Sequence, residues 1–178
     1  MKRILILGSG GAGKSTLARE LGTILDLPIL HLDQLFWHSG WVETPREQWI
    51  KKVQAKIEKP EWIMDGNYSN TLDIRLAACD TVIFLNMSRW ICLRRVLRRS
   101  FQYRRKARPD MAEGCPEKLD IEYFKFLKWI WNYPKENLPG ILKMCEGLKP
   151  SQRVIVLSSP HQVEVFLEVL KASTARRS

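Results

Sequence analysis

The sequence predicts a three-layer α/β domain built on a parallel sheet of about five strands. Three observations lead there. Short apolar runs of strand length recur along the chain, segments with helical period separate them, and the runs are continuous rather than alternating. A continuous run suits a strand buried on both faces, which is the condition of a parallel sheet covered by helices. At 178 residues the chain fits one domain with a core of its own.

The first run, Ile4 to Leu7, precedes a glycine-rich stretch and then a helical face of Leu17, Leu21, Ile24 and Leu25. The second, Ile29 to Leu32, leads into an aromatic segment that ends at Trp37. Thr44-Pro45-Arg46-Glu47 reads as a capping box with proline at the first helical position, opening a helix with Trp49, Ile50, Val53 and Ile57 on one face. Trp62 to Met64 and Val82 to Leu85 are the third and fourth runs, and Ser88 is placed to cap a helix whose apolar stripe is Trp90, Leu93, Leu97 and Phe101. From Arg104 to Asp120 no period holds, with Pro109, Gly114 and Pro116 interrupting it, as expected of a mobile loop or lid. Helical period returns at Tyr123, Leu127, Ile130 and Trp131, and Pro134 should break or kink the chain just beyond them. The fifth run, Val154 to Leu157, is followed by a second capping box, Ser159-Pro160-His161-Gln162, before Val163, Phe166, Leu167 and Leu170. Ala172 to Ser178 should fray. No repeat or linker divides the chain, so residues 1–178 read as a single domain.

Charge narrows the partners. Lys and Arg exceed Asp and Glu by ten, so the preferred partners are anions. Nine of the basic residues (Arg89, Arg94, Arg95, Arg98, Arg99, Arg104, Arg105, Lys106 and Arg108) fall between Arg89 and Pro109 with no acidic residue among them. Cys79, Cys92, Cys115 and Cys145 are 13, 23 and 30 residues apart, which excludes a zinc knuckle or a redox dithiol and leaves reduced, packed thiols. No apolar run approaches the roughly 18 residues of a membrane span, and a cytoplasmic location is expected.

The chemistry starts at Gly8-Ser9-Gly10-Gly11-Ala12-Gly13-Lys14-Ser15, two glycines around four free positions followed by Lys and Ser. Such a loop turns successive backbone N–H groups inward on phosphate oxygens, and the next helix adds the positive end of its dipole. Lys14 then reaches the β and γ phosphates and the Ser15 hydroxyl takes a magnesium position. ATP or GTP is the expected donor.

In a parallel sheet, ligands gather at the carboxyl ends of the strands. Asp65, after Trp62-Ile63-Met64 and before Gly66-Asn67-Tyr68, is placed to hold a magnesium-bound water, and Asp33 to touch the acceptor or act as its base. His31 and His38 lack partners at metal-ligand spacing and read as structural or solvated. Phe36, Trp37 and Trp41 are candidates for the wall of a base-binding pocket. On the arginine helix, Arg94, Arg95, Arg98 and Arg99 occupy the flanks of the stripe, with Arg95 and Arg99 one turn apart on one face. Guanidinium groups there suit a phosphoryl-transfer transition state.

The phosphate loop, His31-Leu32-Asp33, the run from Trp62 to Tyr68, Arg95 with Arg99, and the stretch from Arg108 to Pro116 together resemble the bacterial DNA topology modulation protein family, which is similar to adenylate kinases. The resemblance implies a P-loop NTPase fold of the nucleoside monophosphate kinase type, with a five-stranded parallel sheet of order 2-3-1-4-5. It implies an acceptor-binding segment at about residues 31–60 and a basic lid at about 95–120. It assigns Gly8 to Thr16 to the donor phosphates, Asp65 to a magnesium-bound water, Arg95 to the donor base and Arg99 to phosphates; Asp33, Trp37 and Arg75 are the residues expected on the acceptor. Adenylate kinases carry an arginine four residues after the aspartate equivalent to Asp65; Ser69 stands there, and Arg75 is the nearest arginine.

The leading expectation is therefore a magnesium-dependent kinase, monomer or homodimer, moving the γ-phosphate of ATP to a nucleoside monophosphate or another small acceptor. The competing one is a nucleotide-switched, nucleic-acid-associated protein, motivated by the basic stretch with Phe101 and Tyr103.

Overall fold

Ile4, Ile6, Ile63, Ile83 and Leu85 enter one core, while Leu5, Leu7, Trp62, Met64, Val82 and Phe84 enter another. Successive side chains of a strand face opposite ways, so a run that is apolar at every position must be covered twice. The computed structural model describes residues 1–103, 108–117 and 119–175 and contains both covers. Arg104, Arg105 and Lys106 of the basic run, part of the expected lid, and residues 176–178 lie outside the described residues.

In chain order the elements are β1 (Arg3–Gly8), α1 (Lys14–Leu25), β2 (Ile29–His31), α2 (Leu32–Phe36), β3 (Trp37–His38), β4 (Val42–Glu43), α3 (Arg46–Ile57) and β5 (Trp62–Asp65). After a 3-10 turn at Ser69–Thr71 come α4 (Leu72–Ala78), β6 (Thr81–Leu85), α5 (Arg89–Gln102), α6 (Ile121–Glu136), α7 (Leu138–Glu146), β7 (Arg153–Leu157) and α8 (Pro160–Ala175). Five strands pair in parallel in the order β2-β5-β1-β6-β7, which is 2-3-1-4-5 when the strands of that sheet alone are counted. The antiparallel hairpin β3–β4 is additional and has no counterpart among the five apolar runs.

One core takes Leu17 and Leu21 of α1, Cys92 and Val96 of α5, and Leu167 of α8. The other takes Trp49 and Val53 of α3, Leu72 and Leu76 of α4, and Ile141 of α7. Each aliphatic side chain so buried contributes about 1.5–3 kcal/mol relative to exposure. All four cysteines are free thiols. Among the described residues no helix is long and apolar enough to cross a membrane.

The two capping boxes fare differently. At α8 the Ser159 hydroxyl accepts the N–H of Gln162 at 3.2 Å and the Gln162 side chain accepts the N–H of Ser158 at 2.7 Å, so the second box forms with its return bond displaced by one residue. At α3 Pro45 is the N-cap rather than the first helical residue, and no side chain caps the helix. Thr44 is spent elsewhere: its hydroxyl donates to the carbonyl of Phe36 at 2.6 Å and so ties the hairpin to α2. Pro134 sits within the last turn of α6, which ends two residues later at Glu136.

Candidate phosphoryl-transfer site

Gly8 ends β1 with φ 147°, and a Cβ there would lie 2.7 Å from the carbonyl oxygen of Leu85, so only glycine lets the chain turn this close to β6. α1 then starts at Lys14 with neither a side-chain cap nor an acidic residue in its first turn. Its first N–H groups and dipole are thus left for an anion. Lys14 Nζ donates to the carbonyls of Gly8 at 2.9 Å and Ser9 at 3.0 Å, which anchors the ammonium at the loop. Burial pulls its pKa below the ordinary lysine value, against the opposing fields of Asp33 and Asp65. A polyphosphate at this point would offset that burial. The Asn67 amide clasps Gly8 on both polar groups, donating to its carbonyl at 2.9 Å and accepting its N–H at 3.2 Å.

The sheet register brings the carboxylate. His31 of β2 and Ile6 of β1 both pair with Asp65 of β5, so the strand ends converge beside the loop. Asp65 is 4% exposed; Ser15 Oγ donates to its Oδ2 at 2.6 Å and His31 Nδ1 lies 2.6 Å from its Oδ1. Burial alone would lower the His31 pKa, but the bond to Asp65 and the charges of Asp65 and Asp110 outweigh it and raise the pKa above the ordinary histidine value. His31, expected to be structural or solvated, is held on Asp65 and lines the cleft. His38 does have a structural place, with Nε2 3.1 Å from the Thr44 hydroxyl. Serine hydroxyl and carboxylate are hard oxygen donors of the kind magnesium prefers. No group of three or more His, Cys, Asp or Glu suited to a metal occurs among the described residues; a magnesium ion held by Ser15, and by Asp65 through a water, would take its other ligands from phosphates and water.

α5 is turned relative to its expected face. Cys92, Val96 and Ser100 are buried, whereas Trp90, Leu97 and Phe101 of the anticipated stripe are 67%, 52% and 82% exposed. Ser88 holds the N-cap position without a side-chain bond. The physical reason is contact with the phosphate loop, because a Cβ on Gly11 would collide with the carbonyl of Cys92 and with Val96. In this rotation Arg95 and Arg99 both line the cleft, and Arg95 Nη1 donates to the carbonyl of Ala12 at 3.1 Å.

On the acceptor side Asp33 accepts a hydrogen bond from the Tyr68 hydroxyl at 2.6 Å, and Trp37 packs edge-on to Phe36 and Trp41. Burial and the neighbouring Asp33 raise the Tyr68 pKa, which keeps the phenol a donor. Residues 108–117, within the expected lid, are fastened to this segment. Gln34 donates to the Pro109 carbonyl at 2.7 Å, the Trp41 indole to Pro116 at 3.1 Å, and the N–H of Gly40 to Gly114 at 2.9 Å. That docking brings Arg108 and Asp110 into the cleft, two residues that sequence reasoning did not assign to the site. Burial would raise the Asp110 pKa, yet the charge of Arg108 outweighs it and lowers the pKa.

Arg75 is the other correction. It is 0% exposed on α4 and does not line the cleft. Its guanidinium donates to the carbonyls of Thr71 at 3.1 Å, Gly66 at 2.9 Å and Tyr68 at 2.8 Å, and also to that of Asn67. Burial pulls its pKa down to about 10. Arg75 therefore holds the loop that presents Asn67 and Tyr68 instead of meeting a substrate.

No family model matches the chain, and comparison with curated proteins returns no match. Among solved structures, a shikimate kinase from Acinetobacter baumannii in complex with shikimate superposes with TM-score 0.61 at 14% identity, over 99% of this chain and 94% of that one. A shikimate kinase from Bacteroides thetaiotaomicron gives 0.57 at 18% identity over 97% of both chains. A gluconokinase from Sinorhizobium meliloti gives 0.50 at 14% identity over 98% of this chain and 92% of that one. At such identities the likeness is one of fold, and the fold of this chain is P-loop kinase-like.

Proposed function

We propose that this chain is a magnesium-dependent phosphotransferase that moves the γ-phosphate of ATP to a small acceptor, a nucleoside monophosphate or a hydroxyl compound. One observation carries the reading: the Ser15 hydroxyl lies 2.6 Å from Asp65 beside Lys14, in a cleft of about 470 Å³ that Arg95 and Arg99 also line. Backbone N–H groups of the loop and α1 hold the β and γ phosphates, and Lys14 bridges them. Ser15 and Asp65 are the residues that would hold magnesium, which would supply neutralisation of phosphate charge. Arg95 and Arg99 face the equatorial oxygens, where the transition state spreads its charge. A separate hollow of about 310 Å³, lined by Trp90, Ile91, Arg94, Arg95 and Pro160, adjoins Arg95 and suits the donor base. Asp33 orients an acceptor hydroxyl and takes its proton.

A single cytoplasmic domain and membership in the DNA topology modulation family belong to this proposal. The segments that resemble that family, from His31 to Asp33, from Trp62 to Tyr68 and from Arg108 to Pro116, contribute His31, Asp33, Asp65, Asn67, Tyr68, Arg108 and Asp110 to the cleft. The nucleic-acid reading draws less support, because Arg95, Arg99 and Arg108 face the cleft and Arg89 lies 4.7 Å over the Trp131 ring.

A coupled ADP-release assay with ATP, magnesium and a panel of monophosphates and small alcohols tests the proposal. Acceptor-dependent turnover should fall at least 100-fold in Lys14→Ala, the scale of losing one transition-state donor. Absence of any turnover that depends on Lys14 would overturn it.

A further inference from the structure

Adjoining the phosphate cleft is a second cavity of about 670 Å³ that shares Asp33, Tyr68, Arg99, Arg108 and Phe126 with it. The hairpin β3–β4 contributes Trp37 and Glu43 to its wall, the 108–117 segment Met111, and α6 Tyr123 and Phe126. An acceptor lying here has its far end among aromatic rings and its near end at Asp33, beside the position of the γ-phosphate.

Among the described residues two arginines line this chamber with five carboxylates, Asp33, Glu43, Glu117, Asp120 and Glu122, of which Glu122 pairs with Lys125 at 2.6 Å. Both arginines have a carboxylate neighbour at Nε: Arg99 Nε is 3.3 Å and Arg108 Nε 3.0 Å from the same oxygen of Glu117, and Arg108 Nη1 also pairs with Asp110 at 3.4 Å. Glu117 is itself buried and accepts a further bond from the Ser100 hydroxyl at 3.1 Å, so the ion pairs form part of a packed network. An acceptor phosphate or carboxylate entering the chamber competes with Glu117 for these guanidinium groups and meets the Asp33 carboxylate at its near end, at a cost that rises in a partly buried site. An uncharged or cationic ring meets no such cost, and it gains from the aromatic walls through stacking or cation–π contact.

We infer that the acceptor is an alcohol without phosphate or carboxylate, an uncharged or positively charged ring compound such as a nucleoside or an amino sugar, phosphorylated on a hydroxyl directed at Asp33. The inference rests on the phosphotransferase reading above and narrows it away from nucleoside monophosphates. The acceptor oxygen bonds to the γ-phosphorus as the bond from that phosphorus to the β–γ bridging oxygen breaks, and the electron pair of that bond leaves with ADP. The hydroxyl proton passes to Asp33, whose Oδ1 is already taken by Tyr68, so Oδ2 receives it.

The test is acceptor-dependent ADP release by the full chain with ATP and magnesium, over nucleosides, hexoses and amino sugars on one side and nucleoside monophosphates and hydroxy acids on the other. kcat/KM at least tenfold higher for the first group is expected. Turnover confined to the anionic group overturns the inference and leaves the phosphotransferase reading standing. Bound ATP with no turnover on any acceptor overturns the reading beneath it. Glu43→Lys, an exposed change on the hairpin, provides a second readout: the KM of a cationic acceptor should rise about fivefold, the scale of a partly screened charge reversal, while the KM of ATP stays put. An unchanged acceptor KM would remove the acceptor from this cavity.

Discussion

Replacing Arg75 with methionine separates a scaffold arginine from a substrate arginine. Four backbone carbonyls, those of Thr71, Gly66, Asn67 and Tyr68, lose their donor together. At about 1 kcal/mol net for each bond the loss is about 4 kcal/mol. Removing a buried charge returns part of this, because burial already disfavours the guanidinium enough to bring its pKa down to about 10. The balance is about 3 kcal/mol of destabilisation. For a chain of 178 residues that amounts to a fall of about 6–12 °C in Tm. Urea unfolding should move to a lower midpoint at unchanged slope. Arg75→Lys should recover less than half, since one ammonium cannot reproduce the fork. ATP affinity should weaken along with stability, because the loop that is released carries Asn67, the clasp on Gly8, and Tyr68, which holds a positive φ of 33°. A variant with unaltered unfolding midpoint and a raised acceptor KM would refute the scaffold role and restore Arg75 to the acceptor.

Two further perturbations test the loop and the N-terminal strand. Gly11→Ala forces a side chain into φ 77° and against the Cys92 carbonyl; a loss of about 1–3 kcal/mol in stability and at least tenfold in ATP affinity is expected by calorimetry, and wild-type affinity would contradict the packing described for α5. Asp80 Oδ2 accepts the N–H groups of Lys2 at 2.8 Å and Arg3 at 2.9 Å, while the Thr81 hydroxyl donates to Oδ1 at 2.7 Å. Burial would raise its pKa, but these bonds outweigh it and lower the pKa. A depressed folded pKa stabilises the protein above the unfolded value of about 3.9 and loses that stability as pH falls through the folded value. Asp80→Asn should therefore cost about 1 kcal/mol at pH 7 and flatten the acid limb of stability against pH; parallel limbs for both proteins would refute the argument.

The parts of the molecule written in local pattern were legible. Five apolar runs became the five strands of the sheet with ends shifted by a residue or two, and the glycine loop stands where its spacing put it. What depends on a distant partner was not. Thr44 looks like a cap until the hairpin takes its hydroxyl for Phe36, and that hairpin is only two residues on each strand. An arginine in a helix is ordinarily exposed, so nothing near Arg75 announces that the loop four to nine residues before it needs four donors. Arg108 and Asp110 lie in a stretch without period, and only its docking on Gln34, Gly40 and Trp41 reveals where they go. His31 did carry a signal, since it ends a strand whose carboxyl end faces the ligand side, and the in-register pairing with Asp65 makes it a cleft residue.

The turned face of α5 reconciles two expectations that could not both hold. A helix advances about 100° per residue, so a stripe of Trp90, Leu93, Leu97 and Phe101 directed at the core would leave Arg95 and Arg99 on nearly the opposite side, in solvent. Burying Cys92, Val96 and Ser100 instead rotates the helix by about 100° and carries both arginines to the edge of the cleft. Side-chain size explains why this rotation wins. The phosphate loop passes so close to α5 at Cys92 and Val96 that even a Cβ on Gly11 finds no room, and a face containing Cys92 permits that approach where one containing Trp90 would not. Three large apolar groups stay exposed as a result, at a cost in unburied area. The geometry that brings both arginines to the cleft is thus set by the close approach of the helix to the loop, and the arginines take their positions from it.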